Sequence, residues 1–182
     1  MGQGAGSLGN SLTQVTFLTH NTETEFHMRR HEPLQLAATV ENLPRFREYV
    51  ETACARDDID SEASFALKLA VDEACSNIIE HGYGDSTSGT IEVTFESSDE
   101  TAQVTIVDTG RSFSPERAPR PDLEADWQER PIGGLGWHLI RSVMDEIRYH
   151  TEGPENRLTL IKRIDAGSEP RRREERSHEH HD

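Results

Sequence analysis

The run VTIVDTGRSF, from Val104 to Phe113, ends an apolar alternation in an acid and a glycine. Asp108 is in phase with Ala102, Val104 and Ile106, so in an extended chain it points to the same packed side as they do. A carboxylate buried there must accept hydrogen bonds, and two chemistries would use it. In an acid protease, an Asp-Thr-Gly presents one of two aspartates that share a proton. The chain has no second Asp-Thr-Gly, so a homodimer would have to supply the other, and Arg111 adds a bulky cation just after the turn. In the other chemistry the carboxylate accepts a hydrogen bond from the exocyclic amine of adenine, and Gly110 lets backbone and base approach closely. The motif alone fits either.

A second candidate lies in LAVDEACSNIIEHGYG, Leu69–Gly84. Glu73 and Asn77 are four residues apart and stack on one helix face, beside the apolar stripe of Leu67, Val71, Ala74 and Ile78. Polar side chains at that boundary are costly unless something satisfies them. A carboxylate can orient a hydroxyl or a water, and an amide oxygen can coordinate Mg²⁺, a hard cation that prefers oxygen. The plainer alternative is an amphipathic helix whose boundary residues bond to a nearby loop. A third candidate is GGLG, in which Gly133, Gly134 and Gly136 precede a helix whose free N–H groups could meet phosphate. It lacks the Gly-Lys-Ser/Thr of the Walker loop and does not follow a strand as a dinucleotide fingerprint does. A simple loop entering a helix would look the same.

These residues need elements to hold them. Leu43, Phe46, Val50 and Ala53 share one face of a first helix, after extended segments near Glu25–Met28 and Leu34–Thr39. Asp60 can cap the second helix, which stops at the glycine-rich HGYGDSTSGT. Ile91, Val93 and Phe95 alternate in one strand and Ala102, Val104 and Ile106 in the next, with SSDE as the turn. A proline-rich segment reads as a loop or lid over 114–132. A third helix follows, with Leu135, Leu139, Ile140, Val143 and Ile147 facing the core, then strands near 147–150 and 157–162. The expected class is α+β, a two-layer sandwich of helices on a mixed, mostly antiparallel sheet.

Composition bounds the rest. Lys plus Arg is 19 against 34 Asp plus Glu, a formal net charge of -15. That charge repels a phosphate backbone, which excludes direct nucleic-acid binding as the expected role. Cys54 and Cys75 sit among apolar residues at helical spacing, as reduced core residues of a cytoplasmic chain. No apolar run reaches membrane-spanning length, and MGQGAGSLGN lacks the basic and apolar regions of an export signal. Residues 1–24 read as a flexible extension, 25–163 as one domain, and 164–182 as a charged, disordered tail. His178, His180 and His181 in that tail lack the fixed cage of a structural metal site.

Taken together and in this order, the segments resemble the serine-kinase-type anti-sigma factors of bacteria. These are a branch of the ATPase superfamily that includes histidine kinases, type II topoisomerases and the large heat-shock chaperone. The resemblance spans about residues 30–163. DEACSNIIEHGYG resembles the N box, DTGRSF the first glycine box, GGLGWHLIRSVMDEIRYH the second, and NRLTLIKR the closing strand.

The resemblance implies a histidine-kinase-like ATP-binding domain that uses ATP and Mg²⁺. It makes Glu73 the general base, Asn77 the Mg²⁺ ligand, and Asp108 and Gly110 adenine contacts. Gly134 and Gly136 would hold phosphate and Thr159 would support the adenine site; Arg130, in the proline-rich segment, is the cation to test for a γ-phosphate contact. The family ordinarily has a glycine where this chain has Ser112. The activity implied is phosphorylation of a serine on a small anti-anti-sigma protein, with a sigma factor as competing partner and a homodimer as the expected assembly. The alternative is a module that binds ATP and sequesters its partner with little or no transfer. A sensor histidine kinase fits less well, because the N-terminal segment is short for dimerising helices and a sensor.

Overall fold

The computed structural model describes residues 28–84, 89–112 and 135–164. Five strands form one antiparallel path: β1 (Arg29–Arg30), β3 (Thr90–Ser97), β4 (Thr101–Asp108), β6 (Glu155–Arg163) and β5 (Glu146–Glu152), with β2 (Leu34–Ala37) also on β3. The edge made by β1 and β2 breaks around Pro33, which has no N–H to give a ladder. Every pairing among the described strands is antiparallel, in keeping with the mostly antiparallel sheet expected.

Helices α1 (Leu43–Arg56), α2 (Ser61–Asn77) and α3 (Leu135–Val143) form the second layer. Phe46, Val50, Leu67, Val71 and Ile140 bury completely against Ile91, Val93, Phe95, Val104, Ile106 and Leu160. Removing that apolar surface from water is the main force holding the layers together. Asp60 caps α2 as expected, its carboxylate accepting the N–H groups of Glu62 and Ala63, both at 2.9 Å. The third helix is shorter than expected. It ends at Val143, and Ile147 lies in β5.

Two polar contacts fasten the layers. His31 and Ser97 both bond to Oδ2 of Asp57, at 3.0 and 2.6 Å, clasping the sheet edge to the end of α1. The three residue types are those of a hydrolase triad, but sharing one carboxylate oxygen makes them a tie, with no relay from serine to histidine. At the other side, Asp145 accepts the backbone N–H of Arg163 at 2.8 Å and pairs with Lys162 at 3.2 Å. The Arg163 N–H holds the Asp145 carboxyl below its usual range, against the opposing effect of burial, with Lys162 adding to it.

A depressed carboxyl stabilises the fold above its unfolded pKa and loses that contribution as pH falls through the folded value. Because the side chain is 32% exposed, solvent screening limits the expected cost of Asp145→Asn to about 0.5–1 kcal/mol at pH 7. Denaturant melts should show the gap closing below about pH 4, where the parent carboxyl is protonated too. A gap unchanged at pH 3 would assign the effect to packing.

Both cysteines are free and buried. Burial pushes the Cys54 thiol up to about 11 and the Cys75 thiol up as well, so both stay protonated and inert at neutral pH.

Candidate active site

The end of α2 is built differently from its body. After Asn77 the chain widens into a π-helical turn, Ile78–Tyr83, whereas the sequence had only marked a stop there. This turn docks on the end of β4. The Arg111 N–H donates to the Gly82 carbonyl at 2.9 Å, and the Tyr83 hydroxyl accepts the Thr109 N–H at 2.9 Å while donating to the Thr90 carbonyl at 3.0 Å. A Cβ at Gly110 would lie 3.0 Å from the carbonyl carbon and oxygen of Gly82. Glycine at 110 is therefore required by the close approach of the π turn, a reason the sequence did not disclose. π turns inside helices recur at functional sites, where they re-aim neighbouring side chains.

Between this turn, α3 and the sheet lies a cavity. Its walls are apolar at Ala74, Ile78, Trp137 and Leu158, and its polar lining comes from Asn77, Asp108, Arg111, Tyr149 and Asn156. Asp108 is 7% exposed, on the packed side of β4 as its phase predicts. Its Oδ1 accepts the Gly110 N–H at 2.7 Å and the Asn156 amide at 3.0 Å. An apolar slot with one buried acid at its end suits a flat ring that carries a donor.

Glu73 lies one turn back on α2, against the start of α3. A Cβ at Gly136 would collide with the Glu73 carboxylate and lie 3.5 Å from the Asn77 amide nitrogen. The preceding acid cannot share this role. Asp72 points to α1, where Arg47 Nε donates to its Oδ2 at 2.6 Å. Glu73, half-buried, has no hydrogen bond or ion pair to another described residue.

Gly136→Ala should therefore push the Glu73 carboxylate aside, since the end of a flexible side chain yields more easily than backbone. We expect the melting temperature to change little and any activity that depends on Glu73 to fall at least tenfold, about 1.4 kcal/mol in the barrier. A kinetic assay beside a thermal melt checks this, and unchanged activity would show that Glu73 tolerates displacement.

Thr159 does not support the acid, contrary to expectation. Register pairs Asp108 with Asn156 and Thr105 with Thr159, so Thr159 lies on the opposite face of the sheet, its hydroxyl 3.4 Å from that of Thr105. The residue that does bond Asp108 is Asn156, which the sequence reading missed. Ser112 is exposed. Arg130, Gly134 and the segment 114–132 lie outside the described residues, as do residues 1–24 and 165–182.

The histidine kinase-like ATPase domain family matches residues 36–162, most of the chain and every element of the site. The chain belongs to that family. Within this ATPase family, it is 32% identical over 125 residues to the serine-protein kinase RsbW of Listeria monocytogenes, covering 66% of this chain and 80% of that protein. It is 33% identical over 104 residues to RsbW of Bacillus cereus, covering 54% of this chain and 61% of the relative. Among solved structures, the RsbU and RsbW domains of Rv1364c from Mycobacterium tuberculosis align at 17% identity and a TM-score of 0.49, over 74% of this chain and 32% of that one. As an ATPase-family domain the protein uses ATP.

Proposed function

We propose that the protein is an ATP-dependent protein serine kinase acting as an anti-sigma, partner-switching regulator, its substrate a serine on a small anti-anti-sigma protein. The observation that carries this reading is a cavity lined by Asn77 and Asp108, with Glu73 one helical turn before Asn77 and against Gly136, in a chain whose curated relatives are named serine-protein kinases. Asp108 accepts the adenine amine, with the ring held between Ala74, Ile78 and Leu158. Gly136, at the entry to α3, holds phosphate together with Gly134, and Arg130 is the γ-phosphate cation. Glu73 orients the serine hydroxyl and takes its proton as the oxygen bonds to the γ-phosphorus and ADP departs.

Asn77 fits Mg²⁺ through its amide oxygen. Among the described residues no three His, Cys, Asp or Glu side chains cluster, so the donor set suits an ion that arrives with nucleotide phosphates better than one in a protein cage. When bound, the ion neutralises charge on the β- and γ-phosphates.

The same reading makes the protein a cytoplasmic homodimer for which a sigma factor competes with the anti-anti-sigma protein. No helix among the described residues is long and apolar enough to cross a membrane. The test is co-purification from the native cell, then incubation of the recovered small partner with radiolabelled ATP. Label on a partner serine is the expected result. A partner that binds the well-folded protein yet gains no label would move it to the ATP-binding, sequestering module.

A further inference from the structure

We infer that Asn156 is a positioning residue that sets the base selectivity of the cavity, by fixing Asp108 so that one oxygen is spent internally and the other faces the ligand. The inference rests on the adenine reading of Asp108. Asn156 is 3% exposed and stands directly across the β4–β6 ladder from Asp108. Both ends of its amide are in use. Nδ2 donates to Asp108 Oδ1 and to the Gly110 carbonyl, each at 3.0 Å. Oδ1 accepts the Tyr149 hydroxyl at 3.1 Å and the Thr151 hydroxyl at 3.4 Å.

The two ends of an amide are distinguished only by their partners, and here the partners decide. A carboxylate and a carbonyl only accept, so the NH₂ must face them, and the hydroxyls of Tyr149 and Thr151 can donate to the other end. With the Gly110 N–H as well, Asp108 Oδ1 holds two donors. Among the described residues nothing donates to Oδ2. That oxygen remains an acceptor at the end of the apolar slot, matched to a ring amine and mismatched to a ring carbonyl. Without Asn156, only the Gly110 N–H holds Oδ1, so Asp108 can turn more widely and a water can stand between it and either ring.

The test is calorimetric titration of the full chain with Mg²⁺-ATP and Mg²⁺-GTP, for the parent, Asn156→Leu and Tyr149→Phe, each checked by thermal melting. Leu keeps the approximate volume and removes both ends of the amide. Phe removes one of the two hydroxyls that orient it, the closer one. We expect the parent to prefer ATP. The ATP-to-GTP affinity ratio should fall roughly tenfold in Asn156→Leu, the usual scale for losing a buried hydrogen-bond partner, and a few-fold in Tyr149→Phe. If Asn156→Leu does not fold, the Tyr149→Phe ratio decides.

A merely structural role would weaken both nucleotides together and leave the ratio alone. A selective parent whose folded variants keep its ratio overturns the role of Asn156 and leaves the adenine reading standing. A parent that binds ATP and GTP equally overturns both.

Discussion

Glu73→Gln should lower phosphate transfer to the partner serine by roughly 10²–10⁴-fold, the usual reach of a general base, while ATP affinity stays within a few-fold. Gln has nearly the same size and can still hydrogen-bond, but it cannot take the serine proton. The separation of effects follows from placement. Glu73 stands at the start of α3 against Gly136, whereas the apolar slot and its acid are formed further along by Ala74, Ile78 and Asp108. Asn77, one turn on and lining the cavity, should differ in kind: its replacement by Ala should weaken Mg²⁺-ATP binding together with transfer. Single-turnover phosphorylation beside ATP titration measures both quantities. Undiminished transfer by a folded Glu73→Gln protein would overturn the assignment of the base.

Asp108→Asn should cost ATP binding about 1–3 kcal/mol, or roughly five- to 150-fold in affinity. The reason is specific to how the carboxylate is held. The retained amide oxygen can keep the Gly110 and Asn156 donors that Oδ1 now accepts, so the strand end should survive. The new NH₂ then replaces Oδ2 and confronts the adenine amine donor to donor. A guanine ring, with a carbonyl at that position, should lose less or even gain. Calorimetry with both nucleotides reads the contrast, and equal losses for ATP and GTP would mean that the substitution damages the fold instead of the recognition.

The parts legible in the sequence were those set by local rules. The Asp60 cap, the buried stripe of α2 and the alternation in β3 and β4 each depend on residues a few positions apart. The burial of Asp108 followed from parity along one strand. What escaped was set by register between strands. Asn156 meets Asp108 only because β6 pairs with β4 in one particular alignment, and no periodicity within NRLTLIKR reveals that alignment. Thr159, three residues further on, falls on the other face for the same reason: an odd step along a strand reverses the side chain. The widening of α2 after Asn77 was equally hidden. It arises from the docking of Gly82 and Tyr83 on residues 109–111, a tertiary contact that overrides the simple stop signalled by the glycines.

The cavity draws its walls from residues as far apart as Ala74 and Leu158, and the bond from Asn156 to Asp108 alone spans 48 positions of chain. Neither the helical layer nor the closing hairpin can make the pocket by itself. A nucleotide therefore recognises only the fully folded chain, and its binding free energy adds to the stability of the domain as a unit. At a concentration 100 times its Kd, such a ligand contributes about 2.7 kcal/mol. Survival of the fold against heat or proteolysis should thus rise and fall with the supply of nucleotide, quite apart from whether any phosphate is transferred.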